Sequence, residues 1–110
     1  MLDFYLGAGG IDNPGHHLGG FEMNEFSWLQ KNGFLLESQT GHYSEGDESI
    51  PYFDDCILTP EQVQKIYAKF LSRLSEALAT PSFKSSTVDK LDRILKAAIT
   101  SNQGLSTLAD

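Results

Sequence analysis

The chain has 110 residues, 40% hydrophobic and 21% charged, with a formal net charge of −7 at pH 7. That length suits one domain over 1–110, because two would each be too small to enclose a core. The composition excludes wholesale disorder, and the charge excludes a basic nucleic-acid footprint and attraction to an anionic membrane. The single cysteine excludes an internal disulfide framework and a cysteine-rich zinc site. No stretch approaches the ~18 consecutive apolar residues of a membrane span. The start, Met1-Leu2-Asp3-Phe4-Tyr5-Leu6, lacks the basic and apolar regions of a secretory signal, so a cytoplasmic setting is the expectation.

In chain order, Leu2 to Leu6 reads as a short strand ended by the glycine cluster from Gly7 to Gly10. Residues 7–20 read as a glycine-rich loop. Asn24 then caps a short helix over 25–32, with Met23 stapled against Trp28 and Gly33 past its end. Phe34 to Ser38 reads as a second strand, 39–49 as a polar loop, and Ile50 to Leu58 as a third strand. Pro51 marks that strand as an edge or as just beginning.

From Leu58 on, the pattern is helical. Thr59 can cap, Pro60 suits the first helical position, and Gln62 completes a capping box. Leu58 and Val63 stand where a hydrophobic staple sits. Apolar residues recur at 63, 66, 67, 70, 71, 74, 77 and 78, one stripe of a helix that Pro81 stops. A second helix starts near Ser86, with Asp89 as its box partner. Its stripe is Val88, Leu91, Ile94, Leu95, Ala98 and Ile99. Asn102-Gln103-Gly104 is a stop, with Gly104 suited to the left-handed position. The tail beyond is expected to fray, or to dock through Leu105 and Leu108. The predicted class is α+β: a small, mostly antiparallel sheet packed against a C-terminal antiparallel helical pair, plus one short helix.

Charge divides the chain more sharply than composition does. Residues 1–58 carry ten acids and one base, a sum of −9, and residues 59–110 carry five acids and seven bases, a sum of +2. Enzyme motifs are missing from both halves. Gly7-Ala8-Gly9-Gly10 is followed by turn residues rather than a helix, so it reads as a flexible surface loop, not a phosphate cradle. His16, His17 and His42 lack metal-ligand spacing and read as solvated loop histidines. Asp54 and Asp55 are strand neighbours that face opposite ways. Cys56 lies next to acids that oppose thiolate formation, and reads as buried and inert. No cofactor is expected.

Two surface features remain. Lys65, Lys69 and Arg73 recur every four residues and form one basic stripe on the first long helix, which reads as a solvated face. The segment from Tyr43 to Asp55 holds five acids and three aromatics with no base. Tyrosines give rigid contact area with a polar tip, and carboxylates steer a cationic protein and pair with its Lys and Arg. The candidate partner-binding residues are therefore Tyr43, Glu45, Asp47, Glu48, Tyr52, Asp54 and Asp55. The competing reading is a solvated acidic loop whose aromatics belong to the core.

In general character the chain resembles the small acidic immunity proteins of bacterial toxin systems, including contact-dependent growth inhibition and other polymorphic toxins. The likeness rests on the −9 half, the acidic aromatic run Tyr43 to Asp55, and the lack of a catalytic constellation. It implies a cytosolic, non-enzymatic protein that plugs a cognate toxin, often a basic nuclease, and it assigns neither a fold nor residue roles. Two alternatives stand beside it. One is an accessory or structural subunit of a protein complex. The other is a small metal-binding enzyme using His16, His17 and His42.

Overall fold

The computed structural model describes residues 1–10, 12–35, 50, 52, 55–77 and 85–109. In chain order the elements are β1 (Leu2–Leu6), β2 (His17–Phe21), α1 (Met23–Lys31), β3 (Cys56–Leu58), α2 (Pro60–Ala77), α3 (Ser85–Ser101) and β4 (Leu105–Ala109). The strands form one antiparallel sheet in the order β2-β1-β4-β3. The three helices pack on one side of it, α3 over β1 and β2, α2 over β3, and α1 beside β2 and α3. The chain thus adopts the α+β class expected from its sequence. No helix among the described residues is long and apolar enough to cross a membrane.

Alternation along β1 sets the two faces of the sheet. Leu2 and Phe4 point into the core and are fully buried. They meet Phe21 from β2, whose ring stands edge-on to Phe4 at 5.6 Å. Cys56, Leu58 and Leu105 complete the inner face, and Val63, Ile66, Phe70, Leu91, Ile94 and Leu95 cover it from the two long helices. The residues of both predicted stripes for which burial is described therefore lie in the core or pack against it, except that Leu71 is 43% exposed.

The N-terminus of α2 is built as its sequence predicts. The Thr59 amide donates to Gln62 Oε1 at 2.9 Å, and the Gln62 amide donates to Thr59 Oγ1 at 3.2 Å. Leu58 and Val63, the staple pair, are both fully buried.

The start of α1 differs from the reading that placed Asn24 at the cap. The cap is Glu22, whose amide donates to Glu25 Oε1 at 3.0 Å. Asn24 lies inside the first turn, where its side chain accepts the Glu25 amide. Burial of the flanking aromatics decides the frame. Phe21 and Phe26, not Met23 and Trp28, form the staple, with ring centroids 6.4 Å apart, and Met23 is left 51% exposed. The other end agrees with the sequence. Gly33 takes φ +82° and, with Phe34, donates back to the Gln30 and Leu29 carbonyls, a Schellman turn.

Four further expectations change. The C-terminal tail is the strand β4, and it lies at the centre of the sheet. Part of the supposed loop 7–20 is β2, whose Gly19 brings the backbone close to α3: a Cβ there would lie 3.3 Å from Ile94 Cδ1. Phe34 and Leu35 are not strand but buried residues in the turn after α1, and 36–38 lie outside the described residues. Of the strand expected over 50–58, Cys56–Leu58 pairs, while among the other described residues Ile50 is buried in the core outside any strand and 51, 53 and 54 lie outside the described residues.

At the end of α3 the left-handed residue is Asn102, with φ 54°, and not Gly104. The Asn102 and Gln103 amides close a Schellman turn onto the Ile99 and Ala98 carbonyls. Gly104 is required for a different reason. A Cβ there would meet the Leu58 carbonyl oxygen at 2.0 Å, so only glycine lets β4 run this close to β3. Helix α3 itself begins one residue before the predicted cap, at Ser85.

Candidate interaction surface

Of the seven candidate binding residues, Tyr43, Glu45, Asp47, Glu48 and Asp54 lie outside the described residues. Tyr52 is half-buried, its ring tilted against Phe26 at 5.4 Å, on the helix side of the sheet. Asp55 is exposed, and its Oδ1 accepts the Ala109 amide at 2.8 Å. This bond ties the approach to β3 to the end of β4.

The two described histidines make different contacts. His17 Nε2 lies 3.0 Å from Asp3 Oδ1, and its ring tilts against Tyr5 at 5.1 Å. His16 is exposed, and its carbonyl accepts the Leu6 amide. His42 lies outside the described residues. Among the described residues no group of three or more His, Cys, Asp or Glu side chains converges as metal ligands would. Cys56 is free and buried.

The basic stripe on α2 is not a uniform solvated face. Arg73 Nε donates to the Asn32 carbonyl at 2.5 Å, and its guanidinium lies 5.7 Å from the Phe34 ring centroid. A cation there meets the negative end of α1, a favourable placement. Lys65 and Lys69 are exposed. Lys90, on α3, is equally committed. Its Nζ donates to the Gly20 carbonyl at 2.9 Å and to Glu25 Oε2 at 3.0 Å, and stands 4.7 Å from the Phe21 ring centroid.

The glycine-rich loop is pinned rather than free. The buried Gly10 amide donates to Ser106 Oγ at 2.9 Å, and that hydroxyl donates to the Gly7 carbonyl at 2.8 Å. The Gly7 amide in turn donates to the Gly104 carbonyl. The loop therefore lies on the outer face of the sheet, above Ser106 and beside Ile57. Beyond it, the outer face shows Asp3, Tyr5, His17 and Leu108, all at outward positions in the register.

Charge follows the layers. Lys31, Lys65, Lys69, Arg73, Lys90, Arg93 and Lys96 all sit on helices, and Lys84 lies outside the described residues. The four strands and the described residues of 7–16 contain no Lys or Arg, and they and their flank carry Asp3, Asp12 and Asp55. Sequence reasoning found the acidic half but missed this face, because β2 and β4, which complete it, were not recognisable as strands.

No protein-family model matches the chain, and no curated protein or solved structure is significantly similar to it.

Proposed function

We propose that this chain is a non-enzymatic, acidic binding protein that neutralises a cationic partner by direct contact. In the manner of the immunity proteins it resembles, its partner is a basic toxin domain, such as a nuclease, in the bacterial cytoplasm. The observation that carries the reading is the −9 against +2 division of charge along the chain. Glu25 is drawn into a pair with Lys90, but Asp12, Glu22 and Asp55 remain exposed. A surface of one sign steers an oppositely charged protein and raises its association rate. The acids of 43–55 add to that field, and a carboxylate desolvated against an Arg or Lys of the partner costs about 2–5 kcal/mol when truncated.

The test is a pull-down from the native host, identification of the captured protein, and titration against it. Wild type is compared with a variant whose Glu45, Asp47, Glu48, Asp54 and Asp55 are changed to Gln or Asn. A basic toxin whose activity falls at stoichiometric binding supports the reading, as does an association rate that drops steeply with added salt. Unchanged affinity and salt dependence in the folded, neutralised variant contradict it.

A further inference from the structure

We propose that the face of the sheet opposite the described helices, at Asp3, Tyr5, His17 and Leu108, is a docking surface for a Lys- or Arg-bearing segment of a protein partner. The inference rests on the binding reading above and assigns it a surface. Among the described residues, all three helices cover the opposite face, and the pinned loop covers the end of the sheet at Ser106 and Ile57. The described residues of the acidic segment do not cover it either, since Ile50 and Tyr52 pack on the helix side.

Charge identifies the occupant. This layer carries Asp3 and, at its rim, Asp12 and Asp55, with no Lys or Arg in its strands. Apolar surface accompanies the acids. Tyr5 and Leu108 are half-buried, and Met1 and Ile57 are 45% and 41% exposed. An apolar patch with acids on it and at its margin suits a partner with interleaved cations and apolar groups.

The molecule already contains the recognition chemistry. Lys90 is held by a carboxylate and the face of an aromatic ring, Glu25 and Phe21. Asp3 and Tyr5 carry the same pair of groups on this face, two residues apart on one strand and so pointing the same way, with His17 resting against both. An incoming ammonium or guanidinium gains the same ion-pair and cation–π contacts there. Asp3 retains 24% side-chain exposure beside His17, so one flank of its carboxylate is open to such a group.

The experiment uses the whole chain, isotope-labelled, titrated with a synthetic peptide that alternates Arg with Leu and, as control, with the same peptide carrying citrulline for Arg. Saturable shifts are expected at the amides of Tyr5, His17 and Leu108 with the Arg peptide alone. Asp3→Asn is expected to weaken binding about tenfold, the equivalent of ~1.4 kcal/mol. Leu108→Lys, which places an ammonium beside Asp3, its cross-strand partner, is expected to weaken it at least as much, by occupying that carboxylate and by charge repulsion, with the dispersion of the spectrum reporting the fold. Saturable shifts confined to residues 43–55 overturn the surface but leave the binding reading standing. No saturable binding at any residue counts against both. Concentration-dependent broadening at the outer face without peptide also overturns the proposal, because the occupant is then a second copy.

Discussion

Ser106 holds Gly10 through its side chain: the hydroxyl accepts the Gly10 amide at 2.9 Å across 96 positions of sequence. Because the same hydroxyl donates to the Gly7 carbonyl, one side chain from the last strand closes the glycine-rich loop onto the sheet. Ser106→Ala strands a buried amide and is expected to cost about 1–3 kcal/mol. Amide hydrogen exchange at Gly10 should accelerate in this variant by more than the global loss of stability explains.

Thr107 is the opposite case. It is fully buried on the inner face between Phe4 and Cys56, and its Oγ1 has no hydrogen-bond partner among the described residues. An orphan buried hydroxyl costs about 1–3 kcal/mol. Thr107→Val keeps the shape and removes the hydroxyl, so its midpoint in chemical denaturation should rise. A fall would mean the hydroxyl is satisfied in solution.

The core face of α2 can be separated from its solvent face. Phe70, fully buried between Tyr67 and Phe34, is expected to cost about 3–5 kcal/mol when cut to Ala. Leu71→Ala, one residue on and exposed, should stay within ~0.5 kcal/mol. Equal losses at both positions would contradict the orientation of the helix.

Tyr67 donates its hydroxyl to Asp92 Oδ1 at 3.0 Å, joining α2 to α3. Burial raises its pKa above the ordinary value, and the hydrogen bond to Asp92 and that carboxylate's charge raise it further. The folded state therefore holds this proton more tightly than the unfolded state. The stabilisation is fully present below about pH 10, where an unfolded tyrosine begins to ionise, and is lost as pH rises through the folded value. Tyr67→Phe should be less sensitive to alkaline pH than wild type, as measured by denaturant midpoints on either side of about pH 10.

Gly104→Ala tests the close approach of β4 to β3. The added Cβ has no room against the Leu58 carbonyl, and overpacking of this kind costs about 1–3 kcal/mol or more. Asn102→Gly, at the left-handed position, should be near neutral by the same measurement, because glycine adopts that conformation without steric cost. A harmless Gly104→Ala would mean that the two strands are not this close in solution.

Local chemistry made one half of this protein legible from its sequence. Thr59, Pro60 and Gln62 define the start of α2 within four residues, and both apolar stripes have a 3.6-residue period that water sorts into inside and outside. The charge asymmetry is likewise a property of the chain, as is the stop at Gly33. Only the tertiary structure decided where β2 and β4 lie. His17-Leu18-Gly19-Gly20-Phe21 and Leu105-Ser106-Thr107-Leu108-Ala109 are poor in β-formers and lack clean alternation. They are strands because β1 offers hydrogen bonds on both of its edges, and the partner on one of them is about a hundred residues away. The outer face exists only once those strands meet, so Asp3, Tyr5, His17 and Leu108, drawn from both ends of the chain, become neighbours through pairing that no local pattern encodes.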